Sequence, residues 1–348
     1  MARQDDRPNA IQVLKTQLRN KEPARLYFFY GEEVFLLSHY LEQLKKLLLD
    51  DVTEAFNFHK LTSENFDLQA FADSVENLPM MAETSMVLVD EVDVFKFPES
   101  DRERFIEIIS DIPEYCTVVF TYTTATWKPD KRQKKLWNAM ESNGCIVEFA
   151  RQEPRDLIPW ITRHFAAKGK QISSSLCSYL IDITGGTMTA LAGEIEKIAA
   201  YSGADAIVKS DVDAVTEPVL DAVVFQLTDL MSQGEYGTAL QKLQTLLKMQ
   251  QDPIGILAVI GSHFRKLGTA RTLMDNGKGA SDLMALYQIS DYPARKMMSA
   301  AGKFSGRFYA RAAQLIIETD YGMKTSLDEP KRLLEMLILQ LAQEARSA

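Results

Sequence analysis

Residues Gly31-Glu32-Glu33-Val34-Phe35 stand where phosphate chemistry would be done. They follow the aromatic run Leu26-Tyr27-Phe28-Phe29-Tyr30 and open a segment with Leu37, Leu41, Leu44 and Leu48 at helical spacing. A strand, a glycine turn and a helix form the setting of a P-loop. That motif needs glycine-rich backbone around the phosphates, a lysine for the β/γ-phosphates and a Ser or Thr for Mg²⁺. This turn supplies one glycine, two carboxylates and no lysine. A helix N-terminus attracts anions, but Glu32 and Glu33 already place negative charge there, so phosphate is repelled. The pairs Gly169-Lys170, Gly277-Lys278 and Gly302-Lys303 lack both the following Ser or Thr and a second glycine at the right distance.

Other chemistry-bearing groups are scattered. Asp90-Glu91 ends the apolar run Met86-Val87-Leu88-Val89, where the Mg²⁺-binding acids of a nucleotide-hydrolysing fold would stand. Without a P-loop the same pair reads as an acidic cap on a strand. Lys128, Lys131, Arg132, Lys134 and Lys135 crowd around Trp127 and Trp137. Basic residues interleaved with aromatics can track a nucleic-acid backbone and stack bases. The same pattern also fits a solvated helix face with its tryptophans in the core. Tyr292, Arg295 and Lys296 make a smaller cluster of that kind. Cys116, Cys145 and Cys177 are too few and too dispersed for a disulfide framework. The four histidines lie far apart and none pairs with cysteine at zinc spacing, so no metal is expected. Ser262-His263 carries no signature of a catalytic triad, and no catalytic residue is assigned.

The elements that must position these groups fall into three stretches. The chain has 348 residues, enough for two or three domains at about 100–200 residues each. It is 46% hydrophobic and 25% charged, an ordinary globular balance. Its net charge of −9 argues against a free-standing duplex-DNA binder, which usually shows a basic face. No apolar stretch is long enough to span a bilayer, and Met-Ala-Arg-Gln-Asp-Asp-Arg has no apolar signal core. A cytoplasmic location is the expectation. Residues 1–150 alternate strand and helix patterns, with strands expected at Leu26–Tyr30, Phe56–Leu61, Met86–Val89, Thr117–Tyr122 and Cys145–Phe149. Strands separated by helices imply a parallel sheet covered on both faces. Residues 151–216 read as a few helices, Thr216-Glu217-Pro218 as a linker, and 217–348 as about six further amphipathic helices. The fold class is therefore α/β plus all-α.

Over nearly the whole chain the order of these features resembles the delta subunit family of bacterial DNA polymerase III, part of the clamp loader. Leu26 through Leu36 is similar to that family's opening strand and degenerate loop. Asn77-Leu78-Pro79-Met80-Met81-Ala82-Glu83, followed by Met86–Val89, is similar to its clamp-contacting element. Gly186-Thr187-Met188-Thr189-Ala190-Leu191 through Ile198 resembles its second-domain signature. Asp221–Leu230, His263–Leu267 and Asp320–Thr325 match the spacing of its third domain.

The resemblance implies an AAA+-like parallel-sheet domain with a degenerate P-loop (1–150), a small helical lid (151–216) and a helical collar that oligomerises (217–348). It implies a subunit that binds the sliding clamp (beta) and favours its opening for loading onto primed DNA. Such a subunit does not hydrolyse ATP. It has no cofactor and no catalytic site of its own, though it is part of a DNA polymerase holoenzyme, a nucleotidyltransferase. The implied partners are the clamp, the tau/gamma-type ATPase and delta-prime-type subunits through the collar, and primer–template DNA; no membrane is involved. The sensor arginine of active relatives falls at Thr189, and their Ser-Arg-Cys finger is replaced by Thr121-Tyr122-Thr123-Thr124-Ala125. By position the clamp-binding plug is Met80 and Met81, with Leu78 and Pro79 shaping the turn. Many relatives carry a bulkier pair ending in phenylalanine, but methionine is flexible and polarizable enough for the task. On residue types alone the same pair also fits a core beneath the strand, although Pro79 and Glu83 favour a surface turn. The basic segment 128–135 is the implied DNA edge. Two rival readings are an active ATPase with an unusual loop, and a helical adaptor or nucleic-acid-binding protein with a degenerate AAA+ module.

Overall fold

Four apolar residues in succession, Leu26–Phe29, leave the first strand no polar face, so it must be covered on both sides. The computed structural model describes residues 10–123, 127, 130–248, 252–287, 289, 291–326 and 328–347. It divides into two compact units, Met1–Gln152 and Glu153–Ala348.

In the first unit the chain runs α1 (Ala10–Asn20), β1 (Leu26–Tyr30), α2 (Val34–Leu48), α3 (Glu54–Asn57), β2 (Phe58–Thr62), α4 (Leu68–Glu76) and β3 (Ser85–Asp90). It continues through α5 (Glu99–Ser110), β4 (Cys116–Tyr122), α6 (Lys134–Asn143) and β5 (Cys145–Glu148). The five strands are all parallel in the order β2-β3-β4-β1-β5, the arrangement expected of an AAA+-like module. Alternation along the strands divides the core. Leu26, Phe28, Val87, Val118 and Phe120 pack with Phe71, Phe105 and Met140 on one face. Tyr27, Phe29, Met86 and Val119 pack with Leu14, Leu37 and Leu44 on the other. The rings of Phe28 and Phe120, paired across β1 and β4, stack at 4.8 Å.

One strand differs from its expected span. Phe56 and Asn57 are not in β2 but in the single helical turn α3, started by the Thr53 and Glu54 N–H groups donating to Asp50 O at 3.0 and 2.8 Å. The turn reverses hydrophobic expectation: Phe56 is exposed and Asn57 is buried.

The second unit comprises α7 (Pro154–Ala167), α8 (Ser174–Thr184), α9 (Met188–Tyr201), α10 (Lys209–Val215), α11 (Leu220–Ser232) and α12 (Tyr236–Lys248). The last five helices are α13 (Pro253–Asp275), α14 (Ala280–Tyr287), α15 (Asp291–Ala301), α16 (Gly306–Thr325) and α17 (Pro330–Ser347). Among the described residues it contains no strand, only an isolated bridge between Gln171 and Ala206. Gly185 at φ +78° ends α8, and Thr187 caps α9 by accepting from the Ala190 N–H. The stretch 216–218 is anchored at both flanks, while Glu217 and Pro218 are exposed. Buried Thr216 donates to Glu194 at 2.9 Å, and the Val219 N–H donates to Ile183 O at 2.8 Å. Helices α11 to α17 are seven where patterning expects about six. They share one core that includes Leu243, Ile260, Phe264, Phe308 and Leu337. Of the apolar residues at helical spacing in α17, Leu334, Leu337, Ile338 and Leu341 are buried in it and Leu333 is half-buried; Asp320 pairs with Lys324 at 2.7 Å on the outer surface of α16.

Candidate functional site: an exposed apolar turn beside a closed loop

Only Gly31, Glu32 and Glu33 join β1 to α2. The Glu33 N–H donates to Phe149 O at 2.9 Å, and the Phe149 N–H donates to Tyr30 O at 2.7 Å. Gly31 adopts φ +130°, and a Cβ there would lie 2.3 Å from Phe149 O. Glu32 is exposed, whereas Glu33 is only 1% exposed. A three-residue loop closed on the backbone after β5 offers no concave run of N–H groups for a phosphate. The acids after β3 are engaged as well. Asp90 accepts from Thr121 Oγ1 at 2.8 Å and pairs with Lys60 at 3.2 Å. Glu91, at φ +58°, accepts from Thr123 Oγ1 at 2.8 Å. This pair serves as a strand cap tying β3 to β4. Thr189 is exposed in the first turn of α9. Thr124 and Ala125, in the stretch that replaces the finger motif, lie outside the described residues.

At the opposite edge of the sheet, before β3, the chain makes a turn through Leu78, Pro79, Met80 and Met81. Leu78 is 74% exposed, Met80 57% and Met81 92%. Pro79 is half-buried. Met81 has φ +55°, a left-handed conformation that non-glycine residues rarely take. The turn is anchored on both flanks. Tyr115 donates its hydroxyl to Glu76 O at 2.8 Å, and the Thr84 hydroxyl donates to Leu48 O. Between those anchors the Met80 N–H donates to Asn57 Oδ1 at 2.7 Å, while Asn57 Nδ2 donates to Met80 O at 3.0 Å. Val52 and Phe56, on the segment Asn57 closes, are also exposed. Large apolar side chains gathered on a fixed turn in water mark an interaction surface rather than a catalytic one.

Comparison with known proteins identifies the family. The model described as "DNA polymerase III, delta subunit" matches residues 27–150, and that described as "DNA polymerase III delta subunit, C-terminal domain" matches 221–341. The chain belongs to the delta subunit family of DNA polymerase III. It is 24% identical to DNA polymerase III subunit delta of Bacillus subtilis over 330 residues, covering 93% of this chain and 94% of the relative. It is also 24% identical to the probable DNA polymerase III subunit delta of Aquifex aeolicus over 279 residues, covering 79% and 78% of the two chains. The solved Bacillus subtilis DNA clamp loader delta protein shares the fold at a TM-score of 0.67, with 21% identity and coverage of 96% and 99%.

In this family member the basic segment is largely committed to its own surface. Trp127 stacks on Tyr122 at 3.9 Å, almost parallel, and its Nε1 donates to Asp93 at 3.3 Å. It is a buried residue, unable to stack on a base. Lys131 lies 5.0 Å over the half-buried Trp137 ring. Arg132 forks onto Asp130 at 2.8 and 2.9 Å, holding that carboxyl below its usual range, and Lys135 pairs with Glu103 at 2.8 Å. Lys134 is exposed, and Lys128 lies outside the described residues. In the smaller cluster Arg295 pairs with Asp291 at 2.7 Å and Lys296 with Asp182 at 2.9 Å; the Tyr292 side chain lies outside the described set.

No group of three His, Cys, Asp or Glu suited to a metal occurs among the described residues. Burial pushes the thiols of Cys116 and Cys145 up to about 11 and that of Cys177 upward too, so none is a ready nucleophile. A raised pKa means less thiolate at neutral pH. Alkylation of half-buried Cys145 in the folded protein is therefore expected to be slow at pH 7 and to rise about tenfold per pH unit up to pH 9. Peptide mass spectrometry after iodoacetamide treatment reads this directly. A rate already at its plateau at pH 8 would contradict it.

The residue that sequence reasoning missed is Asn57. Its signal was a lone amide in the run Phe56-Asn57-Phe58, but its partner is 23 residues away.

Proposed function

We propose that this subunit binds the ring-shaped sliding clamp through Leu78, Pro79, Met80 and Met81, and favours the clamp's open form for loading onto primed DNA. The observation that carries the reading is the exposure of Leu78, Met80 and Met81 on a turn fixed by the fold. Family membership and the name of the solved relative, a DNA clamp loader delta protein, support it. A clamp interface has two states, closed and open, and a ligand shifts that balance only by binding the open form more tightly. Binding energy stored in an apolar contact near the interface can do this without nucleotide. The closed Gly31 loop supports a role without ATP hydrolysis.

Within the same reading, residues 1–150 carry the clamp contact, 151–216 act as a lid, and 217–348 form the collar. The collar joins tau/gamma-type and delta-prime-type subunits. Primer–template DNA meets the complex near Lys131, Arg132, Lys134 and Lys135, through backbone contacts rather than base stacking, since Trp127 is enclosed. The rival reading, an adaptor that binds nucleic acid by itself, gains no support from ion-paired Arg132 and Lys135.

The test is binding of the full-length chain to the sliding clamp of its own organism, by calorimetry and by release of clamps from nicked circular DNA. Saturable binding with faster clamp release is expected. Folded protein that neither binds nor releases clamps would overturn the proposal.

A further inference from the structure

We infer that Asn57 is a positioning residue that presets the clamp-binding turn, holding Met80 in its binding geometry before the partner arrives. The inference rests on the proposed clamp-binding role of that turn.

The argument begins with burial. Asn57 is 1% exposed, and a buried amide must satisfy its donors and its acceptor. It does so on backbone alone. Oδ1 accepts from the Met80 N–H at 2.7 Å, while Nδ2 donates to Met80 O at 3.0 Å and to Thr53 O at 3.1 Å. The side-chain amide thus bonds both backbone groups of one residue, as a neighbouring strand would. That leaves the Met80 side chain free to project into water, with Leu78 and Met81 beside it. Met81 then follows at φ +55°, a conformation that persists only where its surroundings enforce it.

The amide is itself fixed. Helix α3 is tied to α2 by the Lys45–Glu54 pair at 2.7 Å, and Lys45 also sits 4.5 Å over the Phe58 ring. Asn57 is the last residue of α3, directly before β2, so it is placed by the sheet rather than by a loop. No shorter polar side chain both donates and accepts at this reach, and an aspartate would keep the acceptor but lose both donations.

The functional consequence is entropic. A plug that wanders in the free subunit must be ordered on binding, whereas a preset plug does not lose that freedom. Asn57→Ala is therefore expected to weaken clamp binding about 10–100-fold by freeing two or three interfacial side chains. Asn57→Asp keeps the Met80 N–H bond but sets a buried carboxylate oxygen against the Met80 and Thr53 carbonyls, so it should weaken binding at least as much.

Two measurements on full-length protein separate positioning from general stability. The first needs no clamp: hydrogen exchange of peptides spanning 78–84. Asn57→Ala and Asn57→Asp should accelerate exchange there and leave β1, β3 and β4 protected. Unchanged exchange in the turn, or acceleration throughout the sheet in both variants, would overturn the positioning role. The second is a double-mutant cycle against the organism's sliding clamp. Asn57→Ala should cost affinity when Met80 and Met81 are present and nothing further in the Met80→Ala/Met81→Ala background. An equal loss in both backgrounds would overturn the link to the plug. Wild-type protein that ignores the clamp while its turn shows the expected exchange change would overturn the clamp-binding reading and leave Asn57 as an anchor of the turn alone.

Discussion

Replacing Met80 and Met81 together by alanine is expected to weaken clamp binding by about 10²–10⁴-fold while shifting Tm by no more than a degree or two. The two halves of this expectation come from the same fact. In the free subunit both side chains stand largely in water, so truncating them removes little that the fold uses. On a partner each can bury a full methionine side chain, worth roughly 1.5–3 kcal/mol. Two such anchors at the centre of a contact dominate its energy, as binding hot spots do. Leu78→Ala should give a smaller loss of the same kind, since it truncates one exposed side chain rather than two. Because the contact is apolar, the affinity should change little between low and moderate salt, unlike a contact made by surface ion pairs. Calorimetry on wild type and variant, with a melting curve for each, reads both numbers. A variant that binds like wild type would move the site away from the turn. A large fall in Tm would mean that the methionines support the core.

The elements that were easiest to read in the sequence are those whose residue types leave no choice. β1, β3 and β4 are apolar runs of strand-forming residues, buried on both faces, and each appears within a residue or two of its expected span. The helices of the second unit announce themselves by their apolar spacing, and the Gly185-Gly186 break marks the end of α8. β2 was harder because its neighbourhood is governed by a distant partner. Phe56 reads as core and Asn57 as an interruption, yet the backbone of Met80 draws Asn57 inward and leaves Phe56 outside. The Met80–Met81 pair is a mirror case. Two apolar residues before a buried strand fit a core equally well by composition, and only Pro79 and Glu83 hint at a surface turn. Their exposure follows from the anchoring at Glu76, Asn57 and Thr84, which no local pattern encodes.

Gly31→Ala is expected to destabilise the first unit by about 3 kcal/mol or more, lowering its melting temperature by about 5–10 °C. Two costs add. The backbone sits at φ +130°, a region closed to residues with a Cβ, and the new methyl would meet Phe149 O at 2.3 Å. Both β1 and the chain after β5 would have to shift, since the Glu33 N–H bonds to that same carbonyl. In a working P-loop the glycines open space for phosphate; here the glycine lets two backbones close on one another. Millimolar ATP with Mg²⁺ should accordingly leave the wild-type melting curve unchanged, whereas a site filled to 100 times its Kd would add about 2.7 kcal/mol. The sheet also separates the Gly31 loop from the exposed Met80–Met81 turn. Gly31 follows β1, and the Met80–Met81 turn precedes β3. In a parallel sheet that puts them at opposite edges, at least about 16 Å apart along the strand direction for five residues at about 3.3 Å each. Folded Gly31→Ala protein, held below its lowered melting point, should therefore bind the clamp within a few-fold of wild type. A stable Gly31→Ala variant, or a wild-type Tm raised by ATP, would show that the loop after β1 has room for a ligand after all.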